Sequence, residues 1–74
     1  MIIGVVKETK EYENRVAMSP EVVQLVRKKG FEVVVESGAG EKSFFSNQEY
    51  EAAGATIGTS KEALDADLVL KVNL

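Results

Sequence analysis

Ser19-Pro20-Glu21-Val22-Val23-Gln24-Leu25-Val26-Arg27-Lys28-Lys29-Gly30-Phe31-Glu32-Val33-Val34-Val35-Glu36 is the stretch whose reading decides the fold. It opens as a helix start. The Ser19 side chain can accept a bond from an orphan backbone N–H, Pro20 has no N–H to waste, and Glu21 faces the positive end of the helix dipole. Val22, Leu25 and Val26 follow at helical spacing and predict the apolar face. Arg27, Lys28 and Lys29 suit the carboxyl end, and Gly30 is placed as the residue after the cap. Residues 31–36 then carry Val33-Val34-Val35, an apolar run without polar alternation, which predicts a buried strand.

The same alternation extends outward. Residues 2–6 form a compact apolar run ending at Lys7-Glu8 and predict a first buried strand. Residues 9–17 are polar and predict a loop. On the other side, residues 37–45 read as a glycine-containing loop. Ser46-x-x-Glu49 matches a capping box and opens a second helix through Tyr50 and Ala53 to Gly54. Residues 55–58 read as a short extended stretch. Thr59-x-x-Glu62 is another capping box, opening a short helix to Asp65. Leu68-Val69-Leu70, with Val72 beyond, forms the last strand.

Strands alternating with helices predict a parallel sheet with right-handed crossovers, and continuous apolar strands predict cover on both faces. The expected class is α/β, a partial open parallel sheet with flanking helices and no domain boundary within residues 1–74. A buried-type strand running to Leu74, beside open sheet edges, leads us to expect more chain or a partner beyond it.

Composition narrows the chemistry. The chain has 74 residues, net charge −3, no Cys and no His. Disulfides, the usual zinc sites and Cys or His catalysis are excluded, and no metal is expected. The lack of Cys fits a reducing compartment. The one cationic cluster, residues 27–29, is a helix end, so nucleic acid is not an expected partner. No apolar run approaches the roughly 18 residues of a membrane span. The apolar start is too short, and lacks the basic flank, for a signal peptide.

Ligands of open α/β sheets bind beyond the carboxyl ends of the strands. Residues 7–15, 37–43 and 72–74 converge on that edge. Arg15 leads the candidates, because a guanidinium there can grip a carboxylate through two parallel bonds. The alternative is an ion pair with Glu8, Glu11 or Glu13. Lys71 interrupts an apolar strand, so it either reaches the ligand edge or pairs with a carboxylate. Asn73 can offer an amide to a ligand or serve as a turn residue. Gly38-Ala39-Gly40-Glu41-Lys42-Ser43 lacks the third glycine of the dinucleotide fingerprint, and Glu41 breaks the P-loop order. It reads as a tight loop of small residues. No pair of carboxylates is specific enough to assign acid–base catalysis.

These residues resemble a known family. Ile3-Gly4-Val5, Lys7-Glu8, Glu13-Asn14-Arg15-Val16-Ala17 and Ser19-Pro20 are similar to the start of the alanine dehydrogenase and NAD(P) transhydrogenase α-subunit family. The likeness continues through Val35-Glu36-Ser37-Gly38-Ala39-Gly40, Phe45-Ser46, Tyr50-Glu51-Ala52-Ala53-Gly54-Ala55 and Ala66-Asp67-Leu68-Val69-Leu70-Lys71-Val72. The resemblance implies the start of the first of two Rossmann-like (flavodoxin-like) domains. It also implies NAD(H) in the parent protein, bound by glycines far downstream and not by this segment.

In alanine dehydrogenases, the resemblance implies, the arginine matching Arg15 holds the pyruvate carboxylate. A lysine matching position 73 lies near the keto or amino group. Here that position is Asn73, which favours the transhydrogenase branch. That branch implies hydride transfer from NADH to NADP⁺ coupled to proton translocation. It also implies a homodimer, NADP(H)-binding and membrane proton-channel components as partners, and a cytoplasmic place, free or peripheral to a membrane complex. Two readings stay beside it: an alanine dehydrogenase segment, and a non-catalytic binding or assembly module.

Overall fold

The computed structural model describes residues 1–7 and 18–70. Along them run β1 (Ile2–Val5), α1 (Pro20–Lys28), β2 (Glu32–Glu36), α2 (Asn47–Ala52), β3 (Thr56–Gly58), α3 (Ser60–Leu64) and β4 (Leu68–Leu70). A 3-10 turn, Glu41–Ser43, lies between β2 and α2. The strands form one sheet in the order β3-β2-β1-β4. Every pairing is parallel, with Val5 opposite Val35 on one side and Leu70 on the other.

The helices start where their caps place them. The Val22 N–H donates to Ser19 Oγ at 3.4 Å. Ser46 and Glu49 exchange reciprocal bonds, as do Thr59 and Glu62, so both capping boxes form. The caps matter because α2 and α3 have only six and five residues, too few to be stable without packing. Gly30 follows α1 at φ +94°.

Topology assigns the helices to faces. The crossovers through α1 and α2 step the sheet one way, from β1 to β2 to β3. The crossover through α3 returns past β2 and β1 to β4. With right-handed crossovers, that reversal puts α3 on the opposite face. The packing agrees. Ile3, Val5, Val33 and Val35 share a core with Met18 and Val23 before and within α1, and with Tyr50 and Ala53 at α2. Gly4, alternating with Ile3 and Val5 along β1, faces α3. A Cβ there would run into the backbone of Ala63.

Three expectations need correction. The short stretch before Thr59 is a paired strand: β3 bonds to β2, giving four strands where three were clear from sequence. Its three residues, an exposed Thr56 and the half-buried Ile57 and Gly58, are too few to show as an apolar run. The inward residues of α1 are Val23, fully buried, and Val26, half-buried. Val22 and Leu25 are 41% and 56% exposed. Four apolar residues in five span so wide an arc that spacing alone cannot choose the buried side. Finally, β4 is not buried as its composition suggested. It is an outer strand of the described sheet, with Leu68 exposed and Val69 and Leu70 half-buried.

Candidate functional site

The strand order reverses between β1 and β4, and such a switch point opens a crevice at the carboxyl edge of the sheet. There the Val6 N–H donates to the Leu70 carbonyl at 3.3 Å, closing the two strands together. The connection leaving β1 and the chain following β4 both start at this point. Arg15, Lys71 and Asn73 lie outside the described residues. Their described neighbours in the chain are Lys7 and Met18 for Arg15, and Leu70 for Lys71 and Asn73. Lys7 and Leu70 follow and end the two strands at the switch point.

Around the edge, backbone groups left over from the strands find side chains. The Lys7 N–H donates to Glu36 Oε1 at 2.8 Å, tying the exit of β1 to the end of β2. The Gly38 N–H donates to Asn47 Oδ1 at 3.0 Å, and Asn47 Nδ2 donates to Ser37 Oγ at 3.0 Å. The Tyr50 hydroxyl donates to the Met18 carbonyl at 2.8 Å inside the core. Burial, with a smaller push from the Glu49 carboxylate, raises the Tyr50 phenol to about 12. The hydroxyl therefore keeps its proton throughout the neutral range.

The Gly38-Ala39-Gly40 loop is tight for a packing reason. A Cβ on Gly40 would stand 2.7 Å from the Tyr50 ring and hydroxyl. This glycine lets the loop close over Tyr50, so the expected loop of small residues is what forms. A dinucleotide turn would instead need glycines directly after β1, and residues 5–29 hold none. Among the described residues, no group of three or more acidic, His or Cys side chains is placed to hold a metal.

Sequence reasoning missed the three ties made by Glu36, Asn47 and Tyr50. The Tyr50 bond spans 32 residues of chain, and no local spacing signals it. It also missed Phe44, which ends the 3-10 turn in a left-handed conformation with its ring 92% exposed.

An open parallel sheet whose strand order reverses, with helices on both faces, is a Rossmann-like α/β architecture. The chain belongs to the family described as alanine dehydrogenase/PNT, N-terminal domain, whose model matches residues 4–74. It is 49% identical over 73 residues to the NAD(P) transhydrogenase subunit alpha of Haemophilus influenzae, covering 99% of this chain and 14% of that one. It is 50% identical over 72 residues to alanine dehydrogenase 1 of Staphylococcus aureus, covering 97% of this chain and 19% of that one.

Solved structures give the same pair. An L-alanine dehydrogenase superposes with TM-score 0.93 at 39% identity, covering 96% of this chain and 20% of that one. A transhydrogenase from Sinorhizobium meliloti superposes with TM-score 0.91 at 48% identity, covering 96% and 21%. The chain thus spans a fifth or less of the curated relatives it matches.

Proposed function

We propose that these residues are the N-terminal segment of the NAD(H)-binding component of a proton-translocating NAD(P) transhydrogenase. In the parent protein, hydride passes from NADH to NADP⁺. A transhydrogenase and an alanine dehydrogenase relative are equally close, at 49% and 50% identity, so overall similarity does not choose the branch. Asn73 carries the choice. Where the resemblance puts a lysine in alanine dehydrogenases, this chain has Lys71-Val72-Asn73. A neutral amide supplies no cation beside a keto group.

On this reading NAD(H) is held mainly by downstream residues, and its nicotinamide supplies the hydride chemistry. The segment builds one wall of the first domain. Arg15, Lys71 and Asn73 are its candidates at the ligand edge, and Arg15 serves as a retained loop cation. The parent works as a homodimer with an NADP(H)-binding and a membrane proton-channel component, peripheral to the membrane on the cytoplasmic side. No helix among the described residues is long and apolar enough to cross a membrane.

Steady-state assay of the full-length protein tests the proposal. NADH should reduce an NADP⁺ analogue once the NADP(H)-binding partner is present, with no response to alanine or pyruvate. NADH oxidation dependent on pyruvate and ammonium would overturn it. Arg15 favours that second reading, an alanine dehydrogenase, because a guanidinium suits a carboxylate substrate. There Arg15→Ala should abolish activity with pyruvate, and an unchanged apparent affinity would reject it.

A further inference from the structure

The two helices on one face of the sheet, α1 and α2, both run back against the strand direction. Their last turns therefore lie at the amino edge, where Glu32 and Thr56 begin β2 and β3. Between these helix ends is an open pocket of about 390 Å³, lined by Gln24, Arg27, Lys28 and Ala53. Every lining residue except Ala53 can donate hydrogen bonds from its side chain, and Arg27 and Lys28 are cations. Glu51, the acidic residue closest to the end of α2, does not line it.

Arg27 is held in place without any ligand. Its Nη1 donates to the Phe31 carbonyl at 3.3 Å. Its side chain also lies across Gly54, where a Cβ would meet Arg27 Nε at 3.2 Å and Cγ at 3.3 Å. Gly54 turns the chain at φ +106°, so glycine serves both the turn and the close approach. A guanidinium presents several N–H donors in a rigid fork, and the Phe31 carbonyl occupies one of them. Among the described residues, no carboxylate pairs with Arg27 or Lys28, and no partner takes the Gln24 amide.

Helix ends alone explain part of this. A helix carboxyl terminus carries a charge of roughly −0.5, which draws basic side chains into the last turn. That accounts for Arg27 and Lys28 as residue types. It does not account for a fixed guanidinium, an ammonium and an amide around one pocket. We infer that this pocket is an oxyanion site whose ligand is the phosphate group of a small solute. Arg27 grips two phosphate oxygens, Lys28 adds a compact charge and Gln24 an amide N–H. A dianion suits two cations better than a monocarboxylate does. The site stands whichever branch of the family the parent belongs to.

Calorimetric titration of the full-length protein with inorganic phosphate tests this. NADH is kept in excess so that phosphate does not report on a nucleotide site, and chloride holds the ionic strength constant. The unmutated protein should bind phosphate saturably. Arg27→Gln should weaken binding roughly tenfold, as expected for losing charge-assisted bonds. Arg27→Lys, which keeps the charge without the fork, should recover only part of that loss. Lys28→Gln should weaken binding roughly threefold, the scale of an exposed ion pair. Lys61→Gln, on α3 across the sheet, should change nothing.

Lys28 makes no bond among the described residues, so Lys28→Gln decides the matter even where loss of the Arg27 tie to Phe31 unfolds the protein. Phosphate that does not bind saturably overturns the inference. So does binding unchanged in Lys28→Gln, which would place the phosphate elsewhere. Arg27→Lys binding as the unmutated protein does would mean diffuse charge and no positioned fork, and it too overturns the inference. Acetate displacing phosphate at equal concentration would reject phosphate as the ligand and assign the pocket to carboxylates.

Discussion

Phe44 and Phe45 are adjacent and identical in type, yet the structure separates them completely. Phe45 packs against Tyr50, with ring planes at 75°. Phe44 takes φ 64° and ψ 26° and points to solvent. A bulky residue in the left-handed region is strained by about 1 kcal/mol, because its Cβ crowds the backbone carbonyl. An exposed ring recovers little of that through contacts. Phe44→Gly should therefore raise unfolding stability by about 0.5–1 kcal/mol, read from the denaturant midpoint. A loss of stability would mean that the ring makes contacts the described residues do not show. Composition could not separate the two rings. Both read as apolar loop residues, and only the turn geometry decides which one points in.

At the scale of elements, legibility followed how local the signal was. The caps of α1, α2 and α3 are written within four residues each, and all three form as spaced. The three apolar strands were equally plain. The pairing of β3 and the buried side of α1 were not, because both depend on partners distant in sequence. The docking of α3 is another such case. It rests on Gly4, since a side chain there would strike the Ala63 backbone and the Ala66 Cβ. Backbone cannot swing aside as a flexible side chain does, so Gly4→Ala has to displace α3 from the sheet. The expected cost is about 3 kcal/mol, at the upper end for overpacking. Hydrogen exchange should show it as lost protection in residues 60–66 before β2 is affected. Full protection of α3 in the variant would disprove close docking as the role of this glycine.

At the scale of the whole molecule, the sequence offers a candidate place before it offers candidate residues. Strand–helix alternation alone predicted a carboxyl edge where ligands gather. The strand order then put the reversal between β1 and β4. Arg15, Lys71 and Asn73 came from charge in unexpected places and from family resemblance. The ties by Glu36 and Tyr50 emerged only once the fold had brought distant segments together.

The same scale sets the last prediction. A chain of 74 residues buries only about 60% of its unfolded surface, and this one leaves apolar side chains uncovered. Val22 and Leu25 lie exposed on α1, with Leu64 at the end of α3 and Leu68 on β4. Among the described residues, β4 is paired on one side only, and an open edge templates pairing with another chain. Expressed alone, the 74-residue chain should therefore self-associate and unfold at a lower midpoint than the same residues within a full-length relative. Leu25→Glu combined with Leu68→Lys should reduce the sedimenting mass without loss of circular-dichroism signal, since neither side chain is buried. A monodisperse monomer as stable as the full-length protein would refute this. It would show that the four strands and three helices among the described residues need no further cover, and that the exposed leucines wait for nothing.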